Sequence, residues 1–219
     1  MKLSKNTVNL LKNYASINSN LLLKAGSKLS TISGQKSIIA EATVEDTFPI
    51  DFGIYDLNEF LSAFSLFSDP DLTFNDKVVV IKEGTSAIKY YASSAEVLTV
   101  PSKSINFPDA DVEFELSAEV LASILKTASV LRASDVSFIG EDGELNLVVG
   151  DKKNATANTY GVSLGKTDGK FRVNLKIDNL KFIPGGYTVS ISNKKISRFA
   201  AKGSDLVYFV AVEADSTFA

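Results

Sequence analysis

Lys2, Lys5, Asn9 and Lys12 recur at helical spacing and would line one side of a helix. Asn6 and Asn13 flank the stripe, and no carboxylate interrupts it. Ammonium groups and amides in such a row suit diffuse attraction to an extended anion such as a phosphate backbone. A solvated helix usually mixes signs, because i,i+4 ion pairs each add about 0.2–0.5 kcal/mol. This one does not, and Lys2 and Lys5 sit at the positive end of the helix dipole, where a cation is disfavoured. An ordinary solvated lysine face is the competing reading.

Bond-making chemistry has little to work with. The 219 residues contain no His, no Cys and no Trp, and one Met. Thiolate nucleophiles, disulfides, sulfur metal sites, Ser-His-Asp triads and His-ligated zinc are therefore excluded. Carboxylates, Lys and Tyr remain, but no Gly-rich phosphate loop accompanies them. Gly140-Glu141-Asp142-Gly143 joins two strand patterns and reads as a hairpin turn rather than a metal loop. The expectation is a protein that is not an enzyme and uses no cofactor or metal.

The elements that must carry the lysines come in two similar sets. From Ser4 onward, Leu3, Thr7, Leu10, Leu11 and Tyr14 form the inward face of the first helix. A second helix over 117–131 turns Leu121, Ile124, Leu125, Ala128 and Leu131 inward and leaves Ser123, Lys126 and Thr127 outside, with Arg132 at its end. Leu10-Leu11-Lys12-Asn13 aligns with Ile124-Leu125-Lys126-Thr127, and Glu119 stands where Lys5 would repeat. A shorter pair follows. Residues 55–61 resemble residues 177–183, with Asp56 and Asp178 as candidate N-caps, each with a Phe four residues on. Glu59 and Lys181 occupy the corresponding outward positions.

The rest reads as strands, at 50–54, 71–74, 78–82 and 87–92 in the first half. In the second half they fall at 136–139, 145–149, 160–164, 171–177, 187–191, 196–201 and 206–212. Several alternate apolar and polar residues, as antiparallel strands with one wet face do. The fold class is α+β: two similar domains, each with two helices and eight or nine strands. The first domain spans 1–108, including a connector over 97–108 marked by Pro101 and Pro108, and the second spans 109–219.

Net charge is −3, but the signs are segregated: 1–40 holds lysines and no acid, 41–76 acids and no base. One basic surface on an otherwise negative protein is the reading with consequences for binding. The longest apolar run, 206–212, falls far short of the ~20 residues of a membrane span. The polar N-terminal stretch does not read as a secretory signal, so the expected location is cytoplasmic. Asn154-Ala155-Thr156 has the form of a glycosylation sequon and reads as chance.

Three stretches in order carry a more specific likeness. They are Met1-Lys2-Leu3-Ser4-Lys5 with Leu10-Leu11-Lys12-Asn13, then Ile54-Tyr55-Asp56-Leu57-Asn58, then residues 210–217. With the duplicated architecture, the chain resembles the sliding clamps of T-even-type tailed phages. That resemblance implies a head-to-tail homotrimeric ring with helices lining the hole and sheets outside. It implies binding to duplex DNA without regard to sequence, tethering of the replicative DNA polymerase, placement by a clamp-loader ATPase, and service to late-transcription factors. Carried over residue by residue, it implies Lys5, Lys12, Lys126 and Lys181 as DNA-facing residues, with Lys2 and Arg132 beside them. It also implies a peptide groove at the connector, walled by Val97, Leu98, Val100, Pro101, Ile105, Phe107 and Pro108, with residues 216–219 as a mobile tail near it. Strands 78–82 and 87–92 are the candidate edges for ring closure. A ring-forming virion structural protein is the alternative, and it leaves the acid-free lysine face unexplained.

Overall fold

Ser4 starts the first helix as its spacing predicts. Its Oγ accepts the Thr7 N–H at 3.1 Å, and α1 (Lys5–Ile17) follows. The computed structural model describes residues 1–154 and 156–219; Ala155, the middle of the sequon, lies outside the described residues. These residues form two compact units, Met1–Ser104 and Ile105–Ala219.

In the first unit α1 buries Thr7, Leu10, Leu11, Tyr14 and Ile17. It lies on the antiparallel hairpin of β2 (Gly26–Ile32) and β3 (Ile38–Phe48), and Tyr14 Oη donates to the Leu29 carbonyl at 3.3 Å. Burying a side chain such as Leu11 contributes roughly 1.5–3 kcal/mol, so this face is what fixes the helix in place. β1 (Leu21–Leu23) pairs with β4 (Phe52–Ile54). Asp56 then caps α2 (Leu57–Ser65), accepting the Asn58 and Glu59 N–H groups. β5 (Asp71–Asn75), β6 (Val78–Glu83) and β7 (Ser86–Tyr91) complete the unit as an antiparallel meander. β6 is the middle strand, paired on both sides, which corrects its expected place at an edge. Met1 exchanges two backbone hydrogen bonds with Leu72 on the outer side of β5, leaving β7 as the uncovered edge of this meander.

The second unit carries α3 (Ala118–Leu131) between β8 (Val112–Leu116) and β9 (Asp135–Glu141). β10 (Glu144–Gly150), β11 (Tyr160–Lys166) and β12 (Phe171–Lys176) come next. Then follow β13 (Tyr187–Ser192), β14 (Ile196–Ala201), β15 (Val207–Ala211) and the two-residue β16 (Thr217–Phe218). One sheet runs β11-β10-β9-β12-β16, and β15-β14-β13-β8 are neighbours in that order in another. α3 packs on β10. Asp142 (φ 54°) and Gly143 (φ 78°) both take positive φ between the paired Glu141 and Glu144, so this segment is the tight hairpin turn expected.

Four further expectations need correction. Residues 177–183 do not form a helix. Only a 3-10 turn, Ile177–Asn179, is present, and Asp178 lies inside it rather than capping it. Pro184 drives Ile183 away from helical geometry, and Gly185-Gly186 follow at once. Phe182 is instead drawn into an aromatic cluster with Tyr187, Phe199 and Tyr208, at centroid separations of 4.6–5.4 Å. Second, the first unit has seven strands among the described residues rather than eight or nine. Third, on α3 only Leu121, Ile124 and Ala128 are buried; Leu125 and Leu131 are half-exposed. Fourth, residues 216–219 are tied down. Ser216 is buried, β16 pairs with β12, and the Ala219 N–H donates to the Lys170 carbonyl at 2.9 Å.

Candidate nucleic-acid interface

The outward face of α1 presents Lys5, Asn9 and Lys12, all exposed. Neither ammonium group has an ion-pair partner among the described residues. A helix that opens on Lys5 with no acid in its first turn leaves its dipole uncompensated locally. The compensation comes from β3: Asp46 Oδ2 accepts the Ser4 N–H at 2.9 Å. Asp46 lies 42 positions along the chain, and no local pattern points to it. Lys2 precedes the helix, and its ammonium is held by Asp69, which raises its pKa through that hydrogen bond.

On α3 the arrangement repeats in part. Ser117 Oγ accepts the Val120 N–H at 3.3 Å, and Glu119 sits in the first turn, where its own N–H and the Ser117 hydroxyl hold its carboxyl below the usual range. Lys126 is exposed without an ion-pair partner among the described residues, and Ser123 Oγ bonds to Tyr160 Oη at 3.1 Å. Arg132 closes the helix in the left-handed conformation (φ 53°, ψ 38°). The Ala133 N–H reaches back to Ala128 O at 2.9 Å and the Arg132 N–H to Ser129 O at 3.4 Å, a Schellman closure normally made by glycine. Lys181 is exposed, on irregular chain after the 3-10 turn rather than on a helix. α2 exposes Asn58, Glu59 and Ser62 and no base. Tyr90 Oη anchors its start by donating to Asp56 O at 3.0 Å, and burial beside Glu59 pushes that phenol up.

The connector residues meet different fates. Val97 is 61% exposed, and Leu98 is buried against Gly53, where a Cβ would clash with Ser93 O and touch Leu98. Asn18 and Asn20 hold the next residue: Asn18 Nδ2 donates to Thr99 O at 2.8 Å, and the Thr99 N–H donates to Asn20 Oδ1 at 3.0 Å. Val100 and Pro101 are half-exposed in the first unit. Ile105, Phe107 and Pro108 belong to the second, where Phe107 stacks on Phe209 at 6.3 Å.

Basic residues of the second unit that look free in sequence are partly consumed. Lys152 meets Asp215 at 2.8 Å, Glu213 at 3.6 Å and Asp135 at 3.8 Å, and Lys176 meets Asp135 at 2.6 Å. Burial pushes the Asp135 carboxyl up, but Lys176 and the Ser134 hydroxyl overcome it, and the group sits below its ordinary value. Among the described residues no cluster of acids could hold a metal ion, and no helix is long and apolar enough to cross a membrane.

Two units of antiparallel strands with few helices are the architecture of the DNA-clamp fold, and solved clamps match it. A PCNA from A. fulgidus, solved with the C-terminal region of FEN-1, superposes with a TM-score of 0.72 over 96% of both chains at 13% identity. The DNA polymerase III β subunit of Bartonella birtlesii gives 0.73 at 13% identity, covering 97% of this chain and 64% of that one. The sequence narrows the class. The family described as DNA polymerase processivity factor matches residues 2–100, and that described as gp45 sliding clamp, C terminal, matches 113–214. The sliding clamp of Vibrio phage KVP40 is 36% identical over 98% of this chain and all of its own length. That of Enterobacteria phage T4 is 34% identical over 99% of both. The chain belongs to the phage sliding-clamp family, the processivity factors of phage DNA replication.

Proposed function

We propose that three copies of the chain close head to tail into a ring that encircles duplex DNA and holds the replicative polymerase on it. The observation that carries the reading is the set of exposed ammonium groups without ion-pair partners among the described residues, Lys5 and Lys12 on α1 and Lys126 on α3, in a chain of this family. The exposed Lys181 adds to the DNA-facing charge, with Lys2 and Arg132 at the margin. Long hydrated lysines attract phosphates without fixed geometry and read no base edges, so they hold DNA loosely enough to slide. Retention then rests on topology. Edge strands β7 and β11 offer unpaired backbone groups for a heterologous contact that closes as a ring. Partner peptides of the polymerase, a clamp-loader ATPase and late-transcription factors would dock at the connector residues Val97, Val100, Pro101, Ile105, Phe107 and Pro108, with Leu98 as buried support. In this role the protein is a tether and does no bond-making chemistry.

The test is retention on circular DNA. Once loaded, the ring should stay on a closed circle in salt that strips ordinary lysine–phosphate binding, and leave when the circle is cut. Equal loss from intact and cut circles would mean that the hold is electrostatic. Lys5→Ala with Lys12→Ala should impair loading or processive synthesis while the mass in solution stays at three times 23.6 kDa.

A further inference from the structure

We propose that the bed beneath residues 213–219 is a second docking site, which takes an extended peptide of the pattern acid-x-acid-x-x-aromatic from a partner protein. The chain's own segment occupies it at rest. Glu213, Asp215 and Phe218 have that pattern, and each meets a cation. Lys152 takes Asp215 at 2.8 Å and Glu213 at 3.6 Å, and Lys176 stands 4.0 Å from Glu213. Lys195 lies 5.7 Å from the centre of the Phe218 ring and donates to the Ser216 carbonyl at 2.6 Å. Asn174 reads the backbone. Its N–H donates to Ser216 Oγ at 2.9 Å, its carbonyl accepts the Glu213 N–H at 3.0 Å, and its side chain donates to Asp215 at 3.2 Å. With the segment lifted, Lys152, whose side chain is 10% exposed, Lys176 and Lys195 face the bed, with Asp135 as the acid that still meets Lys152 and Lys176. The bare bed therefore calls for two negative charges on an extended backbone, which β12 can pair in antiparallel fashion.

The segment is held in a way that permits exchange. Of residues 213–219 only Ser216 is buried, and the ladder to β12 is two residues long. The grip is ionic and hydrogen-bonded: its ion pairs are partly exposed and so screened by salt, while the Asn174 N–H to Ser216 Oγ bond is buried. The first unit supplies the contrast. There the Ser93 N–H donates to Gly53 O at 2.9 Å, as Glu213 does to Asn174, but the chain that follows is fastened by the buried Leu98. No buried apolar side chain fastens 213–219. A tethered segment acts at an effective concentration on the order of millimolar, so a free peptide competes poorly, whereas one carried by a protein already held on the same assembly competes on equal terms.

The probe is a fluorescent peptide with the sequence of residues 212–219, added to the full-length protein. Wild type should bind it weakly. Glu213→Gln with Asp215→Asn, which loosens the resident segment, should bind it on the order of tenfold more tightly. A further Lys195→Ala should reverse the gain, and a peptide with its own acids neutralised should bind no better than to wild type. In the same double variant, the backbone amides at positions 174 and 213 should exchange hydrogen on the order of tenfold faster than in wild type. Unchanged peptide affinity or unchanged amide protection in a variant with native circular dichroism overturns the proposal and leaves the segment as fixed structure. Equal binding of the neutralised peptide overturns the charge recognition.

Discussion

Arg132→Gly separates the stability of α3 from its electrostatic role. Arg132 adopts φ 53° and ψ 38°, a conformation that costs an L-residue roughly 1–2 kcal/mol. Glycine removes that cost, but its freer unfolded chain takes back roughly 0.5–1 kcal/mol. The Arg132 side chain is exposed and has no ion-pair partner among the described residues, so little packing is lost. What is lost is a cation at a helix C-terminus, worth about 0.3–1 kcal/mol at low salt and screened at high salt. The expected net is near zero in low salt and a gain of about 0.5–1 kcal/mol in several hundred millimolar salt. Urea unfolding at fixed protein concentration, with the midpoint followed at both salt levels, measures it. Affinity for a short duplex should move the other way, with the salt slope falling by up to about 0.9 for each phosphate no longer neutralised. Destabilisation at high salt would refute the strain argument, and an unchanged salt slope would remove Arg132 from the DNA-facing residues.

Three other outcomes are expected. Asp135→Asn should cost about 2–3 kcal/mol at neutral pH by urea unfolding, at or below the low end for a broken buried pair, because Lys152 keeps Glu213 and Asp215. A cost below about 0.5 kcal/mol would mean that the pair is not holding β9 to β12. Asp135 and Asp215 are both held below their unfolded values, by Lys176 and Lys152 respectively. Their contribution is present at neutral pH and lost as pH falls below the ordinary carboxylate range, and Asp135→Asn should flatten that acid slope. Gly140→Ala should destabilise the second unit, because the new Cβ would meet the Gly169 carbonyl and the Phe171 ring; a melting temperature within a degree or so of wild type would show that Phe171 can move aside.

The legible parts of the fold are those whose cause is local. Ser4 and the 3.6-residue spacing of Leu10, Leu11 and Tyr14 fix α1 from its own residues, and Asp142-Gly143 encode their turn in the same way. Strand β8 shows how a second signal can be masked: Val112, Phe114 and Leu116 alternate with Glu113 and Glu115, and the acids read as a charge block. The failures have distant causes. Residues 216–219 look like a free tail because the lysines that bind residues 213–218 lie up to 63 positions away. Lys2 looks like a third free cation of the stripe until Asp69 reaches it. The 177–183 helix fails because an aromatic cluster claims Phe182, and pairwise likeness to residues 55–61 carries no information about that cluster.

Lys5 and Lys12 stand seven residues apart on α1, a rise of about 10.5 Å along the helix axis. In the ring proposed above, these cations would face a duplex that presents a phosphate about every 1.7 Å of its axis, so they would be far sparser than the charges they meet. As such a protein advances along DNA, one ammonium group leaves its best position while another approaches its own, and the ripples in energy cancel rather than add. In the proposed ring, the few cations that keep the attraction weak would also keep its landscape smooth. In that ring, travel would be limited by hydrodynamic drag rather than by thermally activated hops, and adding lysines in register with the phosphates would slow the motion even as it strengthened the hold.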